Sequence, residues 1–559
     1  MRKKAPRTSR KPTTQQSAKP ASVEKITSAT THRSLRSSLL TLLSNYWLPI
    51  LFIIAGIFLR FYNYQHSLYF IYDQGRDAWV LERMAHGKLS LIGPTSGLPG
   101  FFIGPFWYYV GMMGYFLGAG NPYVICLWLI SVACIALPLY WVFAHKLFPG
   151  DDNQKFSPWA ILTAILLATV PGSFHASNFI WNPLLSVPLM LGSFLCFLKA
   201  RQSRGFLFLA FLLLALTLQS EFAYGVFFIV PLLIAIPWVR QKFDLLDFAT
   251  AVVAGGLTAI PQAVFDLRHQ FLMTKSLLGA MTDKSQSISW ATHLAQRPAQ
   301  LLQVSLDLLL STASRPSWLG WIVVGLFLLG ALLVLTGLRS ASALSQTPSE
   351  SDGKFRWKLL LLFALIPYPF FLLWRGNHGY FFDYYLTCHY VFLIPIIVLA
   401  AKKLLRWSQR FWLSHQLVRV GLLIVLYLST RYSLAHWQNS IGSPDNQAGL
   451  YMMEKAVENV YLRQSTSLPD TPQPVVQIYT PNVYTEQYDY LFHWYARVHH
   501  LPEPRTLRTP TDPNWFVFIE NKAAANPTFF QPWYYEATKS GQLKRAEQVG
   551  VLTIEEWQK

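Results

Sequence analysis

Directly after the first long apolar stretch, the segment FYNYQHSLYFIYDQGRDAWVLERMAHGKLS brings Asp73, Arg76, Asp77, Glu82 and Arg83 close together. Asp73 and Arg76 are three residues apart at an expected helix start, so one face presents both. In a shared cavity such a carboxylate can act as a general base, and such a guanidinium can hold a phosphate. The same residues have a plainer use. Asp73 can be an N-cap and Asp77 a first-turn acid on an amphipathic helix lying in a membrane interface, with Ala78, Val80, Leu81 and Met84 turned to lipid. Spacing leaves both readings open. Asp77 is itself a candidate for substrate contact, and further candidates are scattered along the chain. Glu221 lies between two apolar runs, where an ionisable group points to function unless the hairpin tip is solvated. Arg268 and His269 close another run and suit either a phosphate or head-group anchoring. Arg375, His378, Asp383, His389 and Tyr390 surround the start of a later run, where capping competes with substrate contact. Trp107, Tyr108 and Tyr109 read first as interfacial anchors. His499 and His500 have no partners at metal-ligand spacing and read as surface residues.

The elements that must carry these residues follow from composition. The chain has 559 residues, 52% apolar and only 13% charged, against about 25% charged in soluble proteins. Uncharged runs recur at 46–61, 121–144, 158–173, 180–198, 206–219, 222–238, 247–265, 317–338, 357–374, 387–401 and 413–430, an expectation of about eleven transmembrane helices, with 11–13 as the range. Soluble enzymes and disulfide-rich secreted scaffolds are excluded. The first helix follows a basic arm and lacks a convincing cleavage site, so it is read as uncleaved. Residues 101–118 are read as a short helix dipping in from the outer face, with a true crossing as the alternative. Cys126, Cys134, Cys196 and Cys388 lack C-x-x-C spacing and read as packing residues. The charge is basic, 47 Lys and Arg against 28 Asp and Glu for a net +19. Residues 1–38 form a basic arm, expected to be disordered and cytoplasmic. No aromatic platform accompanies it, which argues against nucleic acid as a partner. With the N-terminus inside, the short basic loops holding Lys146, Lys199, Arg201, Arg204, Arg240, Lys402, Lys403 and Arg406 all fall on the cytoplasmic side. Residues 39–431 are then the membrane domain and 432–559 a small extracytoplasmic α/β domain. Its predicted elements are helices over 446–462 and 484–498 and strands over 475–479 and 515–519. The fold class is an all-α polytopic membrane protein with this α/β domain appended.

The Asp-x-x-Arg of the first outer loop is followed by a Gly-Pro-aromatic-Tyr-Tyr helix start at 104–109. Ordered patches come after it: PGSFHASNFIWNP (171–183), LTLQSEFAYG (216–225), PQAVFDLRHQF (261–271) and HGYFFDYYLTCHYVFLIP (378–395). Taken together over residues 46–405, they resemble the GT-C membrane glycosyltransferases. The nearest branch is glycosyltransferase family 39, with the protein mannosyltransferases, the aminoarabinose transferases and their RgtA/B/C/D-like relatives. The resemblance implies transfer of a sugar from a polyprenyl-phosphate carrier to a glycan, lipid or protein hydroxyl on the outer face of the cell membrane, with inversion. It implies Asp73 as the base and Arg76 as a carrier-phosphate ligand. No cofactor is then required, and a divalent metal is left open. Two departures stand out. Ile103-Gly104-Pro105 lacks the basic residue many relatives carry there, so a second cation must come from elsewhere, and Arg268 is the choice. Asn182-Pro183 replaces an Asp-Pro and weakens an acidic metal site at that turn. Two rival readings are a transporter or flippase of lipid-linked sugars, expected to place charges at the bilayer midplane, and a non-catalytic membrane scaffold, which has no use for Asp73 and Arg76.

This topology is checked by cysteine labelling from outside the cell. Probes placed at 90, 290 and 500 are expected to react and probes at 150, 203 and 345 to stay unmodified. Reaction at 203 would make 101–118 a true span.

Overall fold

The computed structural model describes residues 32–150, 155–240, 242–282, 288–311, 315–339, 348–375, 379–442, 444–467, 473–482, 484–509 and 511–559. Most of the expected basic arm, and His378, lie outside the described residues. The chain divides into two units, 1–51 and 52–559. The first is helical from His32 onward.

The second unit is built on helices, as its composition demands. A bilayer offers no hydrogen-bond partners, so a spanning segment must pair every N–H and C=O within itself. Among the described residues, seven helices are long and apolar enough to cross: Pro122–Leu147, Asn182–Ala200, Phe222–Val239, Leu245–Arg268, Ser317–Gly337, Asp352–Leu373 and Trp412–Gly442. Tyr46–Phe61, Pro158–Thr169 and Arg204–Ser220 are shorter apolar helices. Tyr390–Ser408 is also apolar until Lys402, Lys403 and Arg406 near its end. Each expected stretch falls on one of these helices. Residues 101–118 hold a 13-residue helix, Phe106–Gly118. It turns back at Ala119, φ 47°, and its Gly114 sits against Ile125 and Trp128 of the next helix, an approach that a side chain would block.

The C-terminal sheet has strands β1 (Val476–Tyr479), β2 (Asn514–Glu520), β3 (Gln542–Val549) and β4 (Leu552–Gln558), in the order β1-β2-β4-β3. β1 runs parallel to β2, and the other two pairs are antiparallel. Helices Leu450–Ser467, Glu486–His499 and Pro527–Thr538 complete this α/β part. β1, β2 and the first two of these helices match the expected elements closely. The β3–β4 hairpin was not expected, because its residues lack apolar alternation. β3 is exposed along most of its length. β4 buries Glu555 and Glu556, 3% and 2% exposed. Glu555 accepts from Tyr534 Oη (2.8 Å) and Trp557 Nε1 (3.0 Å), and Glu556 pairs with Lys544 (2.6 Å), which compensates the burial. Gly550, φ 59°, makes the two-residue turn between the strands.

Helix Glu486–His499 packs on helix Tyr72–Ala85, which carries the Asp73–Arg76 pair. Tyr72 stacks near Tyr484 (4.4 Å between ring centroids), and Trp79 meets Tyr490 (5.6 Å) and His493 (4.8 Å). Arg497 grips both oxygens of Glu82 (2.8 and 2.9 Å), while Tyr115 donates to the same carboxylate (2.6 Å). Burial pushes the Glu82 carboxyl upward, but the hydrogen bonds from Tyr115 and Arg497 outweigh it and hold the group below its ordinary value. That stabilisation is full above the unfolded carboxylate's pKa and fades as pH falls through the folded value. The apolar face of helix Tyr72–Ala85 is therefore not turned to lipid. Ala78, Leu81 and Met84 are 2–3% exposed, and Leu81 lies against Gly111. The interfacial-helix reading is corrected on this point.

Gly75 lies where the two helices meet, and a Cβ there would run into the backbone of Gln487. Backbone cannot rotate away as a side chain can. Gly75→Ala is thus expected to cost about 1–3 kcal/mol through overpacking, read as a lower unfolding temperature, with protease sensitivity appearing between the two helices. An unchanged transition would mean that the helices stand further apart than described.

Candidate functional site

Helix Tyr72–Ala85 starts after Ile71, whose N–H is bound by the Gln74 side chain (2.9 Å). Asp73 is consequently a first-turn residue and not the N-cap. Gln74 also donates to the Ile180 carbonyl (2.7 Å), tying the helix start to the second outer turn. One turn on, Arg76 takes both carboxylates. Its Nη1 lies 2.8 Å from Asp73 Oδ1, while Nε and Nη2 donate to Asp77 Oδ1 at 3.0 and 2.8 Å. Asp77 is held from the other side by Trp107 Nε1 (2.7 Å) and Tyr108 Oη (3.3 Å). Trp107 and Tyr108 are 3% exposed. They are ligands of a buried carboxylate, and the interfacial-anchor reading does not hold for them. Burial pushes the Asp77 carboxyl above its ordinary value, with Arg76 and the Trp107 hydrogen bond pulling back.

Exposure separates the two acids. The Asp73 side chain is 32% exposed, that of Arg76 16% and that of Asp77 9%. Asp73 Oδ2 makes no hydrogen bond among the described residues. Of the five N–H donors of a guanidinium, three are engaged by carboxylates here, and the one left on each Nη has only the Tyr72 and Tyr108 hydroxyls near it. The arrangement offers a free carboxylate oxygen beside a cation with two donors that no carboxylate takes.

The loop before Phe106–Gly118 has no cation at 103–105. Gly104 instead fits closely against the Gln219 side chain, which accepts from Phe106 N (3.2 Å). Asn182 donates to the Ser220 carbonyl (2.5 Å), so this turn is fixed by backbone contacts. Glu221 follows, 5% exposed, and burial pushes its carboxyl up to about 8. The solvated hairpin tip is excluded.

Arg268 and His269 end helix Leu245–Arg268, both exposed. His269 stacks on Phe265 (3.9 Å) and bonds its carbonyl (2.8 Å). Arg268 has no partner among the described residues. Their helix is tied to the loop preceding Trp107, since Gln262 donates to the Phe102 carbonyl (3.1 Å). Asp383 is exposed and caps its own turn through Tyr384 N (2.8 Å). His389 and Tyr390 are fully covered, bonded to Tyr224 (3.1 Å) and Tyr140 (2.6 Å), and serve helix packing. Arg375 lies over the Trp290 ring, 4.3 Å from its centroid. Among the described residues, no group of three or more His, Cys, Asp or Glu is placed to hold a metal ion.

Sequence reasoning passed over Gln74 and Gln219, which fix the site's frame, and two buried cations. Arg60 donates to Ser173 Oγ (2.6 Å) and the Ala168 carbonyl (3.2 Å). Arg297 is fully covered. Gln219 lies inside one of the noted patches. Arg297 stands in an ordinary amphipathic stretch and gave no signal.

No protein-family model matches the sequence, and no curated protein matches it. Among solved structures, the chain is similar to ArnT from Cupriavidus metallidurans bound to undecaprenyl phosphate. The identity is 12%, the TM-score 0.54, and the alignment covers 91% of this chain and 97% of that one. The apo form of ArnT aligns with a TM-score of 0.53 at 12% identity, over 92% and 98% of the two chains. An Archaeoglobus fulgidus oligosaccharyltransferase aligns over 83% of this chain and 64% of its own, at 14% identity and a TM-score of 0.44. The match to ArnT, over nearly the whole of both chains, bears out the expected fold: a polytopic helical membrane protein with a small C-terminal sheet.

The burial difference between the two acids yields a stability test. Removing the partner of a buried, paired charge typically costs about 3–5 kcal/mol, and an exposed one about 0–1. Thermal unfolding of Asp77→Ala is expected to show a large loss and Asp73→Ala almost none. Equal losses would contradict the division of roles.

Proposed function

We propose that this chain is a membrane glycosyltransferase that moves a sugar from a polyprenyl-phosphate carrier to an acceptor hydroxyl on the extracytoplasmic face, with inversion at the anomeric carbon. The observation that carries the reading is the asymmetry of the acids around Arg76. Asp77 is consumed in holding the guanidinium, whereas Asp73 keeps one oxygen free and part of its surface open. The shared fold with ArnT, a protein solved with undecaprenyl phosphate bound, supports a carrier of that chemical class.

In this mechanism the acceptor oxygen attacks the anomeric carbon from the face opposite the phosphate. Asp73 removes the hydroxyl proton as the new C–O bond forms, because an alcohol is a weak nucleophile until it begins to lose that proton. The bond between the anomeric carbon and the phosphate oxygen breaks, and the carrier phosphate leaves with added negative charge. The two N–H groups of Arg76 that no carboxylate takes receive it, and Arg268 supplies the second cation from the end of Leu245–Arg268. Asp77, Trp107 and Tyr108 position Arg76 and touch no substrate. The N-terminus is cytoplasmic and the C-terminal α/β domain extracytoplasmic, the arrangement given by the one-sided Lys and Arg loops. Glu221, His269 and Asp383 remain candidates for shaping the substrate cavity.

The test is transfer by purified protein supplied with polyprenyl-phosphate sugar. Asp73→Asn preserves shape but cannot take a proton, and its turnover is expected to fall by about 10²–10⁴ while unfolding behaviour stays that of wild type. An active Asp73→Asn beside a folded but inactive Asp77→Asn would assign the base to Asp77.

A further inference from the structure

Helix Trp290–Leu309 presents His293, Arg297 and Gln300 at spacings of four and three, hence on one face. Arg297 is 0% exposed, and its Nε, Nη1 and Nη2 have no hydrogen-bond partner among the described residues. No carboxylate pairs with it there. Its surroundings are aromatic. The guanidinium lies 5.6 Å from the Trp374 ring centroid and 5.0 Å from that of Phe381, and both rings pack against Tyr385, at 5.8 and 5.5 Å. Gln300 and His293 fasten the helix to this segment through the carbonyls of Gly379 (3.2 Å) and Leu372 (2.9 Å). Beside Arg297, Gln300 Oε1 and His293 Nδ1 are also buried without partners.

Ring faces offset part of the penalty of burying a cation, but they accept no conventional hydrogen bond. A buried guanidinium whose donors meet no acceptor among the described residues is left to take one that arrives from outside. We propose that Arg297 is the floor of a binding site for a phosphoryl group. Nε and both Nη open two edges of the fork, which suits a tetrahedral oxyanion. Trp374 and Phe381 receive the apolar or sugar face of whatever bears the phosphate, and Gln300 Oε1 accepts from one of its hydroxyls. Both rings are only partly buried, so a side-chain rotation of either uncovers the guanidinium. Two sources share this chemistry: the head group of a polyprenyl phosphate, and a phosphate on a water-soluble saccharide. The inference stands on other elements than the Asp73 cluster and does not depend on turnover.

The test is thermal unfolding of the purified full chain in detergent with farnesyl phosphate or glucose 1-phosphate, and with farnesol and glucose as uncharged controls. At least one phosphate compound is expected to raise the wild-type midpoint by about 2 °C or more, and the controls to do nothing. Arg297→Met, which removes an unpaired buried charge at similar volume, is expected to unfold no earlier than wild type and to lose that response. Arg297→Lys keeps a charge but no fork, and is expected to bind about tenfold more weakly. If Arg297→Met does not fold, the lysine variant decides. A response to farnesyl phosphate that persists in Arg76→Gln would identify the carrier head group, and would move the carrier phosphate from Arg76 to Arg297 without disturbing this proposal. A response to glucose 1-phosphate alone would identify the soluble source. No response from wild type to either compound overturns the proposal. So does a full response in Arg297→Met, or wild-type affinity in Arg297→Lys.

Discussion

Arg76 spends three of its five N–H donors on two carboxylates, and the rest of the site is arranged around that arrangement. A guanidinium shared in this way cannot swing out to any passing anion. Its plane is set by Asp77, and Asp77 is set by Trp107 and Tyr108 at the start of the next helix. Two N–H groups are left, directed by the covalent geometry of the fork. Preorganisation of this kind suits a group that must meet charge as it develops, because no reorientation is needed at that moment.

A pair on one helix face is only as well placed as the helix. Helix Tyr72–Ala85 is held at its start by Gln74 on Ile180, along its apolar side by Leu81 on Gly111, and on its remaining side by the C-terminal α/β part. There the close fit of Gly75 on Gln487 and the grip of Arg497 on Glu82 fix both spacing and rotation. The C-terminal sheet lies about 400 residues away in sequence, yet its helix Glu486–His499 braces the proposed reacting centre directly. An appended domain with no visible chemistry of its own thereby becomes part of the site's rigidity. The same physics sharpens the contrast with Arg297, a buried cation given rings in place of carboxylates.

Much of the architecture was legible because a bilayer allows so few backbone solutions. Long uncharged runs there are satisfied by helices, and each expected stretch fell on one, although the helices after 387 and 413 run on to Ser408 and Gly442. The strands 476–479 and 514–520 were legible for a related reason, being short apolar runs. The β3–β4 hairpin was not, since Glu555 and Glu556 are buried on partners distant in sequence, and charge at such positions argues against a strand. In the site, the Asp73–Arg76 pairing was visible as a three-residue spacing. The roles of Trp107 and Tyr108 were hidden, because an aromatic near a helix end looks the same whether it faces lipid or a carboxylate. Arg297 was invisible for a deeper reason. Spacing can suggest which residues share a face, but it cannot show that a cation will be buried without an anion.

The central claim is that Arg76, mounted on Asp77, receives the phosphate of a polyprenyl carrier while Asp73 stays free to take a proton. The most direct measurement is an experimental structure of the protein with a polyprenyl phosphate bound. The account predicts a phosphate oxygen at hydrogen-bond distance, about 2.7–3.0 Å, from an Arg76 Nη, with the contacts from Arg76 to Asp77 intact and the Asp73 carboxylate facing the space beyond the phosphate. A bound phosphate contacting other cations, with Arg76 unengaged and Asp73 turned away from it, would contradict the account.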